Sequence, residues 1–259
     1  MRDHGLNEAI RAAGGVSELA RRIGISQPSV SNWNRVPAER VLDVEAATGV
    51  ERVVLRPDLY GAKDVSRGEI TEVDSGRSQE YALLAALLGR APDADFLARL
   101  ARLRGDATPL GVEHSALAQA SADTTEEKVE REYFNLFIGI GRGELLPYGS
   151  YYLTGFLHER PLARLRADLN ELGVERAAGI AEPEDHVAIL CETMSGLITG
   201  KFPSRPGADR EFFEKHMRPW IGRFFTDLEQ AEGASFYRYV GRLGRMFVDI
   251  ETEAFALPS

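Results

Sequence analysis

Apolar residues recur at spacings of three and four along nearly the whole chain, and alternating runs of β-branched residues are scarce, so the pattern predicts an all-α protein. In the front part, Val16 to Ile23 reads as a short helix, Gly24-Ile25-Ser26 as a turn and Gln27 to Asn34 as a second helix. Leu19, Ala20, Ile23, Ile25, Val30 and Trp33 have the spacing that packs two helices across such a turn. Ser26 suits the N-cap of the second helix and Pro28 its first turn, where a missing N–H costs nothing. Further on, helices are predicted near 79–89, 93–103, 112–120, 124–137, 147–156, 161–172, 183–199, 207–217, 219–231 and 235–254. Gly173, Gly200 and Gly233 stand just past several of their ends, as stop signals do. The polar, glycine-bearing stretch 63–78 reads as a linker between a small domain, 1–62, and a large one, 79–259.

Charge separates the two parts. Residues 1–67 hold 10 Lys/Arg and 9 Asp/Glu, whereas the remaining residues hold 21 and 31. The large part is therefore no basic nucleic-acid binder, while the near-neutral front part permits DNA binding without demanding it. Cys191 is the only cysteine, which excludes an internal disulfide and a cysteine metal cluster. The longest apolar run, Ala82 to Leu88, is too short to span a bilayer, so no membrane insertion is expected. No secretory signal is legible at the start, and no apolar stretch follows the Arg21-Arg22 pair, so a cytoplasmic location is expected.

The second front helix leaves Gln27, Ser29, Ser31, Asn32 and Asn34 pointing outward, the short polar side chains that contact base edges from a recognition helix. Arg21, Arg22, Arg35 and Arg40 are placed to hold flanking phosphates. The run GGVSELARRIGISQPSVSNWNRVPAERVLDVEAATGV with the closing LRPDL resembles the YdaS-like branch of Cro-type helix-turn-helix domains. That resemblance implies a DNA-reading role, with a protein-interaction or purely packing role as the alternative. A near-neutral domain offers few phosphate contacts, so useful affinity would need a homodimer on two half-sites.

In the large domain, Gly139-Ile140-Gly141-Arg142-Gly143 invites a phosphate-loop reading, but no Lys-Ser/Thr pair follows and the glycines come after a helix. A close turn between two helices is the expected use. Pro183, Glu184 and Asp185 fit the first turn of a helix, whose positive end they stabilise, while a histidine at His186 should be neutral or carboxylate-paired there. No nucleophile and base arrangement, paired catalytic carboxylates or metal-ligand spacing is visible, so neither an enzyme nor a bound cofactor is expected.

The blocks LF at Leu136-Phe137, RGELLPYGSYYLTGFL, EPEDHVAILCETM and the later FF, His216 and Pro219-Trp220 resemble, in order and spacing, the TorD/DmsD family of redox-enzyme maturation chaperones. The forms of the second and third blocks look like the branch associated with formate dehydrogenases. The resemblance implies an all-helical domain that binds the twin-arginine leader and catalytic subunit of a molybdopterin enzyme and delays export until its cofactor is inserted. It also implies that Leu136, Phe137, Pro147, Tyr148, Ser150, Tyr152, Asp185 and His186 line the leader site. Leu136, Phe137, Pro147 and Tyr148 would supply an apolar groove, and Asp185 a carboxylate for arginine. His186 beside Asp185 suggests an affinity that depends on pH near neutrality. The fusion also suits a transcription regulator whose large domain senses leader or client.

Overall fold

The computed structural model describes residues 2–57, 70–174, 182–202 and 204–257. They divide into two compact units, residues 1–68 and 69–259. All regular elements among the described residues are helical, as the periodicity predicts, and the exception to helix is one isolated β-bridge between Tyr148 and His186.

The front unit contains α1 (His4–Ala13), α2 (Val16–Arg22), α3 (Gln27–Ser31), α4 (Val41–Thr48) and α5 (Arg52–Leu55), with a short 3-10 turn at Ala38–Arg40. Asp3 caps α1 by accepting the Leu6 N–H, and Ser26 caps α3 through Ser29 N–H, as the sequence predicts. Leu6, Leu19, Val30, Val36, Val41, Val44 and Leu55 close a small core, with Ile23, Ile25 and Trp33 packed at its edge. α1 lies so close to α5 that a Cβ on Gly5 would fall 2.4 Å from the Val54 carbonyl oxygen. The second helix is shorter than its sequence suggests, ending at Ser31, because Asn32 and Trp33 turn back toward Pro28 and Val30 through their N–H groups.

The large unit contains α6 (Glu72–Gly89), α7 (Ala94–Leu100), α8 (Pro109–Ala122), α9 (Glu126–Tyr133), α10 (Gly149–Thr154), α11 (Arg160–Glu171), α12 (Val187–Ile198), α13 (Ala208–Phe212), α14 (Ile221–Gln230) and α15 (Tyr237–Ala256). α9 and α13 each run on into a single π-turn, Phe134–Ile138 and Phe213–Met217. α6 packs along α12, and α15 packs against α14 and α8. The α14–α15 approach is close enough that a Cβ on Gly244 would strike the Phe225 ring at 2.2 Å. Trp220, Phe224, Phe225, Tyr237, Leu243 and Phe247 fill the core between these helices.

α6 starts at Glu72, so residues 72–78 of the stretch read as linker are helical. Thr71 makes this start: its hydroxyl accepts the Asp74 N–H at 3.0 Å and donates to the Asp74 carboxylate at 2.8 Å. The extension matters because Arg77, on it, donates two hydrogen bonds to Glu251 of α15, at 2.7 and 2.9 Å, and one to Asp209 at 3.0 Å. Tyr81 adds a fourth contact, to Glu251, at 3.0 Å. Glu251 is 1% exposed and would be an uncompensated buried charge without them. At the other end of α15, the Glu132 carboxylate accepts the N–H groups of Ser235, Phe236 and Tyr237 at 2.8, 3.0 and 2.7 Å, meeting the orphan donors of that helix. Among the described residues no helix is long and apolar enough to cross a membrane.

Candidate functional site

The site is built where α9 stops. The π-turn ends at Gly139, whose φ of 63° suits glycine, and a Cβ there would lie 2.1 Å from the Arg142 carbonyl oxygen. The 139–143 glycines thus serve a tight reversal, after which Leu145 N–H bonds to the Leu136 carbonyl at 2.8 Å. The chain then runs extended through Pro147-Tyr148-Gly149 beside Asp185-His186-Val187. Gly149 N–H donates to Asp185 O and Val187 N–H to Pro147 O, both at 2.9 Å. These two bonds frame the Tyr148–His186 bridge and join the two distant sequence blocks.

Two neighbouring cavities open beside this bridge, of about 770 and 490 Å³, and they share Gly89, Glu182 and His186. The larger is walled by Tyr133, Phe134, Phe137, Ile138, Pro147 and Tyr148, with Glu127, Glu130, Arg90 and Arg131 at its polar side. Phe134 and Ile138 are 40% and 55% exposed, an apolar surface that no described residue covers. Phe137 is held from behind by Tyr133 and Tyr237, at ring separations of 5.0 and 5.4 Å. Tyr148 donates its hydroxyl to Glu182 at 2.6 Å. Burial, then that carboxylate, push its phenol well above the usual range, and burial pushes Tyr133 up to about 12, so both are neutral donors. The smaller cavity lies between α6 and α12, and its walls are Ala82, Ala85, Ala86, Ala188, Ile189, Glu192 and Ser195 besides the shared residues.

Of the eight residues expected at a leader site, Phe137, Pro147, Tyr148 and His186 line this groove. Leu136 is fully buried in the core beneath it. Tyr152 sits on the far side of α10, its hydroxyl bonded to Asp227 at 2.9 Å and its ring 5.4 Å from Trp220. Ser150 and Asp185 are 1% and 3% exposed, and Asp185 Oδ2 accepts the Ser150 N–H at 2.7 Å. The carboxylate expected to meet arginine is therefore turned toward the start of α10, where it caps a backbone donor. Groove residues not singled out from the sequence as site residues are Phe134, Ile138, Glu182 and Glu192. The 134, 137, 138 spacing of apolar residues on one helical face was the available signal.

His186 is 6% exposed and caps α12, its Nδ1 accepting the Ala188 N–H at 3.2 Å. Burial holds its pKa below the ordinary value, against the pull of Glu182 and Asp185. Burial thus favours the neutral ring over the imidazolium.

In the front unit Arg21, Arg22, Gln27, Ser29, Asn32, Asn34 and Arg35 are exposed and Ser31 is half-buried. Several are engaged with one another: Gln27 donates to Ser31 at 2.9 Å, and Ser26 and Ser29 hydroxyls lie 2.7 Å apart. Arg21 and Arg22 both bond Glu18, which hydrogen bonding from the two guanidiniums holds down at about 2. The twin arginines are thus partly neutralised within α2. Elsewhere in the large unit, Asp168 pairs with Lys215 and His216 at the edge of a cavity of about 270 Å³.

The two units match two family models. Residues 103–226 match the one described as nitrate reductase delta subunit, and residues 6–64 the one described as bacterial toxin YdaS. The TorD chaperone protein of Aliivibrio fischeri is 24% identical over 212 residues, 73% of this chain and 98% of that one. That of Escherichia coli O81 is 27% identical over 191 residues, 67% and 93% of the two chains. That of Vibrio cholerae serotype O1 is 27% identical over 126 residues, 45% of this chain, and the match spans 57% of its length. A solved structure from Archaeoglobus fulgidus, assigned to redox enzyme maturation, superposes with a TM-score of 0.44 at 21% identity, covering 67% and 93% of the chains. The chain is thus similar to TorD chaperones along its large unit, and its front unit is similar to the YdaS model.

Proposed function

We propose that the large unit is a TorD-type chaperone of the cytoplasm that receives the twin-arginine leader of a molybdopterin redox enzyme and delays export until the cofactor is in place. The observation that carries this is the groove itself: an aromatic wall with exposed Phe134 and Ile138 adjoins a cleft whose carboxylates are Glu182 and Glu192. A leader with an apolar segment next to an arginine pair has the complementary chemistry. The arginines fall to Glu182 and Glu192 in place of Asp185, which is committed to α10. Ordering an unfolded leader costs about 2–5 kcal/mol, so binding is moderate and reversible, as handing over a client requires. Similarity to the TorD relatives supports the same reading, and the form of the two central sequence blocks suggests a formate dehydrogenase as client.

The test is fluorescence anisotropy of a labelled leader from the host's formate dehydrogenase catalytic subunit, with leaders of its other molybdoenzymes beside it. Saturable binding by the full chain, lost in Phe134→Ser/Ile138→Ser, supports the reading. A wild-type protein that binds none of these leaders refutes it.

A second reading concerns the front unit. α2, its turn and α3 have helix-turn-helix order, α3 presents Gln27, Ser29 and Asn32 to solvent, and the unit matches the YdaS model. It reads DNA as a dimer on two half-sites, with the large unit sensing leader or client. Selection of bound sequences from a random pool, repeated with leader present, tests it, and an unenriched pool counts against it.

A further inference from the structure

Away from the groove, the cavity of about 270 Å³ beside Asp168 is built by the second π-turn, and it shares no lining residue with the two groove cavities. Side chains of neighbouring residues on an α-helix diverge by about 100°. Lys215 and His216 are neighbours, yet Lys215 Nζ and His216 Nε2 both lie 2.5 Å from Asp168 Oδ2, because the wider π-turn brings them toward one side. Such turns are rare and are found frequently at functional sites. The first one in this unit carries Phe134, Phe137 and Ile138 of the groove wall, and the second carries Lys215 and His216 of this cavity.

The cations of the cavity wall are each engaged with a carboxylate: Lys215 with Asp168, and Arg205 with Glu211 at 2.5 Å. Three acceptors are not engaged. Asp168 Oδ1 has no partner, since both contacts go to Oδ2. Glu171 makes no hydrogen bond or ion pair among the described residues. His216 Nδ1 is the third. A carboxylate only accepts, so Nε2 carries the ring proton toward Asp168 and Nδ1 presents a lone pair that is neither bonded nor sealed from its surroundings. The ring is held in place: its side chain is 8% exposed, it packs 5.2 Å from Phe212, and its carbonyl accepts the Trp220 indole N–H at 2.7 Å.

These leftovers define the occupant. Open acceptors on one cavity are completed by a group rich in donors, and an ammonium has three N–H donors and no acceptor. Among the charged walls, the three carboxylates Asp168, Glu171 and Glu211 face the two cations Arg205 and Lys215, which leaves one negative charge to be matched. Leu172, Ala208 and Phe212 supply an apolar side for a methylene stem. We propose that this cavity binds a primary alkylammonium group, whose three N–H donors go to Asp168 Oδ1, Glu171 and His216 Nδ1. The inference does not rest on the leader-binding reading. A free alkyl diamine and the lysine side chain of a partner carry the same group, and the amide flanks of the lysine tell them apart.

The test uses the full chain labelled with 15N-histidine, whose five imidazoles include His216 as the signal lost in His216→Gln. n-Butylamine, 1,4-diaminobutane and Nα-acetyl-lysine amide are titrated at pH 7.5 and constant ionic strength. Butyltrimethylammonium, which keeps the charge and lacks the donors, is the control. The three amines are expected to shift the His216 Nδ1 resonance saturably, and the control to bind about tenfold more weakly. Glu171→Gln, an exposed change that breaks no contact, is expected to weaken the amines about two- to fivefold, and Asp168→Asn about tenfold. Lys215→Met removes the cation that competes for Asp168 and is expected to tighten them. Whichever of diaminobutane and acetyl-lysine amide binds tighter names the source. A His216 signal that no amine moves, or that the trimethyl control moves equally, overturns the proposal. So do Glu171→Gln and Asp168→Asn proteins that both bind the amines like the wild type.

Discussion

Asp185→Ala separates two roles for one carboxylate. In the structure Asp185 is 3% exposed and its Oδ2 accepts the buried Ser150 N–H at 2.7 Å. Removing it leaves that donor without an acceptor at the start of α10, and a hydrogen bond to a charged group is worth about 1.5–3 kcal/mol. Part of this is returned, because the other carboxylate oxygen, Oδ1, is buried with no partner among the described residues. The net loss is about 2 kcal/mol, which for a unit of this size lowers the midpoint by roughly 4–8 °C. Asp185→Asn keeps an acceptor oxygen for Ser150 and loses less than about 1 kcal/mol. Trp33 and Trp220 are the two tryptophans, one in each unit, so a Trp33→Phe background makes fluorescence report the large unit alone. Trp220 is a good reporter because its indole lies 3.1 Å from where a Cβ on Gly149 would stand. Asp185→Ala with an unfolding curve superimposable on the parent's, together with lost leader binding, would restore arginine recognition to this residue and refute the capping argument.

Other outcomes follow from the same geometry. Glu182→Gln keeps an acceptor for the Tyr148 hydroxyl but removes a charge at an exposed site, so leader affinity falls about two- to fivefold and its salt dependence flattens in anisotropy titrations at 50–300 mM salt. His186 has a native pKa below its ordinary 6.5, so the unfolded chain binds the extra proton first as pH falls. Its stability contribution is complete above about pH 6.5 and is lost on going down through the native pKa; His216, shifted the same way, adds to the slope. Denaturant curves at pH 7.5 and 5 should therefore diverge less for His186→Asn than for wild type, and equal divergence counts against a buried neutral imidazole. Cys191 is fully buried and its thiol is pushed far up by that burial, so a thiol reagent at pH 8 reacts with it at the rate of unfolding and not before.

Helix positions were largely legible because apolar spacing, caps and stop glycines agree along this chain. Ser26, Pro28 and Gly173 all mark element ends. The start of α6 was missed because Gly76 and the charges around it look like a linker, although Thr71 and Asp74 carry a capping signal three residues apart. Gly76 is tolerated there since no other part of the chain lies within 4 Å of its Cβ position. At the candidate site, the sequence blocks are the ones the fold brings together, but periodicity does not say which side of the bridge each side chain takes. Tyr148 and His186 face the groove, while Ser150 and Asp185 turn inward because α10 begins between them and needs a capping acceptor. Glu182 looked like part of a helix start and becomes a groove carboxylate because α12 begins only at Val187.

The Arg77–Glu251 ion pair joins positions 174 residues apart, and Tyr81 reaches the same carboxylate across 170. The first helix of the large unit therefore completes its contacts only with the last. On the ribosome α6 emerges early, yet its polar anchor does not exist until α15 has left the exit tunnel. Local helices form in microseconds, but such long-range closure is slow and comes at the end. During synthesis the alanine face of α6 has neither α12 nor α15 against it, and the growing chain stays open along the line where the groove will form. A chain cut short before Glu251 has the groove's residues without the carboxylate that anchors α6 through Arg77 and Tyr81.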